Sequence, residues 1–171
     1  PVSAKRAVST YSRSVQTAAL APVSELHHVV VFVKDAPKAP TTPQHAEIRQ
    51  VHENFVPRVV AVTVGSIVDF PNDDSIYHNV FSLSKAKRFD LGRYKPDEKP
   101  APVVTFEKPG VVRLLCEIHE HMRGAVIVVD SPHFTRTAAD GAFTLGGIAP
   151  GTYTLRAWLD EKHEWQQPIT V

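Results

Sequence analysis

From residue 25 onward the chain is a succession of short β-type runs, and this feature limits its folds more than any other. The runs are HHVVVFV (27–33), VVAVTV (59–64), SIVDF (66–70), NVFSL (79–83), PVVTF (102–106), VVRLLC (111–116) and GAVIVV (124–129). Valine dominates them, and a β-branched side chain loses rotamer freedom in a helix but packs well on a pleated surface. No long helical period competes. Fourteen prolines and the turn pairs Pro109-Gly110, Asp140-Gly141 and Pro150-Gly151 separate the runs at the spacing of an antiparallel sandwich. The fold class expected is all-β. At 171 residues, 43% of them apolar, the chain can bury one large core or two small ones.

The organisation is uneven along the chain. Residues 1–23 are rich in Ala, Ser and Thr, with Val8, Tyr11, Val15 and Ala18 at helical spacing, and read as an N-terminal arm or short helix. Beyond Asp130 the pattern changes to an alternating strand with Phe143 and Leu145 inward, a turn, and then Tyr153, Leu155 and Ala157 on one face. About forty residues are too few to close a core alone. The isolated strand within 24–36, ahead of the Pro-rich stretch 37–43, is the expected donor, so residues 45–130 form a domain inserted between the strand and the 131–171 module.

Nineteen basic and eighteen acidic side chains nearly cancel, which removes the broad positive field that nucleic acid requires. The apolar runs, such as VVVFV at 29–33, fall far short of the roughly 20 residues that span a bilayer. The first twenty residues hold no apolar signal core, so the chain reads as one from which an export signal has gone.

One cysteine excludes an internal disulfide, and a lone cysteine is usually a small buried hydrophobe. Here, however, the only Cys and the only Met fall together in CEIHEHM (116–122), with two histidines between them. A one-electron copper site is served by a thiolate, two imidazoles and a long thioether, because that set suits both oxidation states. Cys116 closes the strand VVRLLC, and His119 and Met122 follow at two steps of three. A fourth donor has to come from another strand, and His78 stands just past an Asn-Asp-Asp turn at the head of an apolar run.

The stretch NFVPRVVAVTVGSIVDFPNDDSIYHNVFS resembles the first half of the cupredoxin pattern: an F-x-P strand, a V-x-x-G turn and an F-x-N strand leading to a His-Asn pair. PGVVRLLCEIHEHMRGAVIVV resembles the ligand loop and closing strand of plastocyanin- and amicyanin-like type 1 copper proteins. The resemblance covers roughly residues 45–130. It implies a Greek-key β-sandwich with one copper, held equatorially by His78, Cys116 and His119 and axially by Met122, with Asn79 tying the two ligand loops. Residues 131–171 resemble the carboxypeptidase regulatory-like, transthyretin-type module, through T-x-x-D-G-x-F-x-L (Thr137 to Leu145), Pro150-Gly151 and Y-x-L-x-x-W (Tyr153 to Trp158). That combination implies a second, smaller β-sandwich module and a periplasmic, exported protein.

Several alternatives stand beside this reading. Zinc accepts the same Cys-His-His set, although a thioether suits it poorly. His121 can replace Met122 and give a tetragonal, non-blue site. His27 and His28 offer a loose second metal site. Glu117, Glu120, His121 and Arg123 form a charged rim where the family usually has apolar residues, favouring a partner that reads charge. The mixed-charge stretch KAKRFDLGRYK (85–95) reads as a docking face or a solvated loop. The expected function is one-electron transfer to a redox protein docking near His119. A copper-binding protein for resistance or delivery is the alternative. No H-x-H repeats, phosphate loop or Ser-His-Asp order suggests an enzyme. The β module offers an edge for a partner or a second copy.

Overall fold

The computed structural model describes residues 29–37, 40–96, 100–160 and 162–171. The reading of 1–23, and the histidine pair at 27 and 28, lie outside the described residues. Fourteen strands and no helix are present among those described, so the protein is all-β. Two compact units divide the chain: residues 37–132, and the flanking segments up to Ala36 and from His133 onward.

The larger unit contains β2 (His45–Glu47), β3 (Arg49–Val51), β4 (Asn54–Val56), β5 (Val59–Thr63), β6 (Ser66–Asp69), β7 (His78–Leu83), β8 (Arg88–Tyr94), β9 (Val103–Phe106), β10 (Gly110–Leu115) and β11 (Arg123–Val129). Five strands form one sheet in the order β5-β11-β10-β7-β8, three form another in the order β2-β6-β9, and β3-β4 is a hairpin. The β5/β11 and β2/β6 pairs are parallel, the others antiparallel. Period-two alternation fills the core: Val60 and Val62 from β5, Val68 from β6, Val104 and Phe106 from β9, Val112 and Leu114 from β10, Val126 and Val128 from β11. β11 is buried from Ala125 through Val129 on both of its faces, which is why GAVIVV is a continuous apolar run rather than an alternating one.

The basic stretch 85–95 is not a loop. β8 forms the edge of the five-stranded sheet, with Phe89 and Leu91 packed against the core and Tyr94 buried, while Arg88, Asp90 and Arg93 are exposed. Charge on an exposed edge discourages pairing with another chain.

The smaller unit is one antiparallel sheet in the order β12-β1-β13-β14, from β1 (Val30–Val33), β12 (Phe134–Arg136), β13 (Thr152–Trp158) and β14 (Glu164–Thr170). β1 lies centrally, between two strands that follow it by more than a hundred residues. Val31, Val33, Tyr153 and Leu155 form its core, covered by Phe143, Leu145 and Ile148. Phe143 and Leu145 therefore face inward, but from a segment that forms no strand, contrary to the alternating strand expected there. Glycines at 141, 146 and 147 and the Pro150-Gly151 pair bend the chain too often for a ladder.

Candidate metal centre

His78 is the first residue of β7, and the turn before it is built by its own side chains. Asn72 donates through Nδ2 to the carbonyls of Ile76 and Tyr94, and its Oδ1 accepts the Asp74 N–H at 2.9 Å. This Asx turn fixes the Asn-Asp-Asp segment and delivers His78 fully buried. Cys116 follows directly after β10, and the loop it opens closes with the Met122 N–H donating to the His119 carbonyl at 3.0 Å. Cys116 and Met122 are both buried in the main core cluster.

Three donor atoms converge. His78 Nδ1 lies 3.0 Å from His119 Nδ1, and Cys116 Sγ lies 3.9 Å from the same nitrogen. The possible ligand atoms of all three residues fall within 4.8 Å of one another. His78 Nε2 donates to Asp74 Oδ2 at 2.8 Å, which leaves Nδ1 of a neutral ring as a bare lone pair. Two nitrogens about 2.0 Å from a shared ion stand close to 3 Å apart. The donor set and its spacing therefore fit a single metal ion, and the thiolate with two imidazoles matches copper chemistry. Met122 adds a buried thioether one turn away.

His121 stands apart from the three. It is mostly exposed, and its Nε2 faces Glu53 Oε2 at 3.5 Å. His45 pairs with Asp69, His163 with Asp160, and His133 with the Gly146 carbonyl. Asn79 bridges the two ligand segments: Nδ2 donates to Asp90 Oδ1 and the Gly92 carbonyl, while Oδ1 accepts the Glu117 N–H at 3.3 Å. The rim is charged, with Glu117 paired to Arg93 at 3.3 Å, but Ile76, Tyr77 and Ile118 are also exposed.

Sequence reasoning missed Asp74 and Glu53. Asp74 accepts three bonds: His52 N–H on Oδ1 at 2.6 Å, and Glu53 N–H and His78 Nε2–H on Oδ2, each at 2.8 Å. Burial pushes its carboxyl up, but the bonds from Glu53, His78 and His52 outweigh this and hold it below the usual carboxylate range. His52 and Glu53 are the two central residues of the β3–β4 hairpin, with φ of 50° and 55°. Such a turn favours Asn-Gly, and non-glycine residues there cost of order 1–3 kcal/mol each. The Asp74 carboxylate offsets that strain by taking both N–H groups. The only prior signal was the four-residue spacing of Asp74 from His78.

Beneath the site lies a second polar group. Tyr94 donates to the Phe70 carbonyl at 2.7 Å, and Gln50 Nε2 donates to the Tyr94 hydroxyl at 2.5 Å. Burial pushes the Tyr94 phenol far up, a Gln50 hydrogen bond opposes it, and the charge of Cys116 adds to it.

No protein-family model and no curated protein matches the chain. Among solved structures, a copper-containing nitrite reductase from Thermus scotoductus SA-01 matches at a TM-score of 0.46 and 24% identity, over 53% of this chain and 23% of that one. The chain thus spans under a quarter of the reductase. Amicyanin from Paracoccus versutus matches at a TM-score of 0.45 and 21% identity, over 58% of this chain and 97% of its own. A purple cupredoxin from Nitrosopumilus maritimus matches at a TM-score of 0.43 and 25% identity, over 49% of this chain and 99% of its own. The structural neighbours of this chain are cupredoxins, matched over about half its length.

Proposed function

We propose that the larger unit holds one type 1 copper through His78 Nδ1, Cys116 Sγ and His119 Nδ1, with the Met122 thioether as a weak axial donor, and acts as a one-electron carrier in the bacterial periplasm. The observation that carries this reading is the convergence of the only cysteine and two imidazole nitrogens, the nitrogens 3.0 Å apart, Sγ 3.9 Å from His119 Nδ1 and all three within 4.8 Å of one another. Bound there, copper exchanges one electron between its two oxidation states.

The residues divide the work by exposure. His78, Cys116 and Met122 are buried and keep water from the donors. The His119 side chain keeps 18% of its surface and is the edge through which an electron passes. Asn79, bonded to β8 and to the Glu117 N–H, holds the two ligand segments at a fixed separation. A redox protein docks around His119, meeting Glu53, His121 and the Arg93–Glu117 pair. No described helix is long and apolar enough to cross a membrane. The strand within 24–36 and residues 131–171 are proposed as the carboxypeptidase regulatory-like β module, with no catalytic role.

The test is Cu(II) titration of the metal-free protein, followed by visible absorption and electron paramagnetic resonance, with Cys116→Ala alongside. An intense sulfur-to-copper band that saturates at one equivalent and disappears in Cys116→Ala is expected. A weak tetragonal spectrum indifferent to Cys116 overturns the reading and favours copper binding for resistance or delivery.

A further inference from the structure

We propose that Asp74 is a positioning residue that locks the buried ligand His78 to the β3–β4 hairpin, and that its charge lowers the reduction potential of the centre. The inference rests on the copper reading above. Its basis is the way the Asp74 oxygens are shared. Oδ2 takes His78 Nε2–H and Glu53 N–H, and Oδ1 takes His52 N–H, at 2.6–2.8 Å. All three donors are N–H groups, and an ionised carboxylate is the one short side chain that accepts at both ends.

Two consequences follow from this geometry. The bond to Nε2 fixes the His78 tautomer, so that Nδ1 faces Cys116 and His119, and a carboxylate partner makes the imidazole a stronger donor. A stronger donor favours the more highly charged Cu(II) and so lowers the potential. The same carboxylate holds His52 and Glu53 at positive φ, and this places Glu53 Oε2 4.0 Å from His119 Nε2 and 3.5 Å from His121 Nε2. One carboxylate thus fixes the buried ligand directly and the carboxylate facing the exposed ligand through the hairpin.

Asp74→Asn is the informative substitution, because an amide accepts on one side only and must turn its NH2 toward at least one N–H donor. Cu(II) affinity should fall about 10–100-fold, as for other groups hydrogen-bonded to metal ligands. Each ten-fold loss that Cu(I) does not share raises the potential by about 59 mV. Potentiometry of the full chain reads this directly, and Asp74→Glu should recover part of the shift. An Asp74→Asn protein with unchanged potential and affinity overturns the proposal.

Nitrogen-15 NMR of wild-type His78 in the metal-free chain gives a reading independent of the variant's folding and of copper. A protonated, exchange-protected Nε2 supports the proposal, and a ring protonated at Nδ1 alone overturns it. Failure of the parent reading looks different: wild-type protein without a Cys116-dependent band loses the copper function, whatever Asp74 does.

Discussion

The two units differ in what they bury. Among the described residues, Gln50, Thr63, Ser66, Asn72, His78, Asn79, Ser82 and Ser131 are buried polar groups of the larger unit, against Thr137 alone in the smaller. A buried polar group costs free energy unless it is hydrogen-bonded. In the larger unit two of these groups serve the ligands, Asn72 shaping the turn before His78 and Asn79 reaching the loop after Cys116, while Thr63 and Ser66 bond each other and the 42–44 segment. Thr137 bonds the Val29 carbonyl through its N–H and its hydroxyl and extends a sheet. The buried polar groups bonded around His78 and Cys116 thus mark the candidate site, and the smaller unit has no comparable set among its described residues.

The comparison breaks first in the cores. Phe106 is fully buried at the centre of the larger cluster, so Phe106→Ala should cost about 3–5 kcal/mol. Leu155 belongs to a core of four buried side chains covered by a loop, which can collapse onto the gap. Leu155→Ala should cost about 2–3 kcal/mol. Urea unfolding of each variant measures both, and equal or reversed costs would remove the distinction.

A sharper separation comes from Tyr94. Replacing it by Phe leaves the Phe70 carbonyl with the longer bond from Gln50 Nε2 and takes an acceptor from Gln50, whose Oε1 has no hydrogen-bond partner among the described residues. The expected cost at neutral pH is about 1–3 kcal/mol. Above pH about 10 the phenol begins to work against the fold. The unfolded chain then releases the phenolic proton, while burial keeps it on the folded one. With fewer protons bound in the unfolded state, stability falls as pH rises, by about 1.4 kcal/mol per unit for one group. Tyr94→Phe should lose that component, so the gap between wild type and variant narrows with pH. Parallel stability curves from pH 9 to 12 would contradict the assignment.

The same contrast explains what the sequence revealed. β5, β6, β9, β10 and β11 were legible because valines repeat with period two or fill a strand buried on both faces. β8 was not, although Phe89 and Leu91 alternate with Arg88 and Asp90, because the charges of an exposed edge resemble those of a loop. β14 hid for the same reason: EWQQPIT is exposed along nearly its whole length and holds a proline. In the site, the soft donors Cys116 and Met122 are rare residues and drew attention together, whereas Asp74 sits in an NDDS turn that reads as solvated. Two of the three partners of Asp74 come only from the folding of the His52-Glu53 tip over that turn, and such a contact leaves no periodic trace.

The mildest effect concerns the edges. Gly151 and Val171 exchange both backbone bonds, and ladder pairs alternate, so Thr154 and Pro168 form a pair whose polar groups point away from each other. The Thr154 carbonyl accordingly accepts Lys34 N–H on the β1 side. Pro168 therefore places its missing donor in the middle of the outer edge of β14, which pairs with no other strand among the described residues, where a second strand would need it. Against self-pairing through this module, Pro168 serves the purpose that the charges of β8 serve in the larger unit. Pro168→Val restores the donor without touching the β13 bonds, and should produce a weak, concentration-dependent dimer in sedimentation velocity while the wild-type edge stays unpaired. If wild type and Pro168→Val sediment alike at every concentration, this edge is guarded by something other than Pro168.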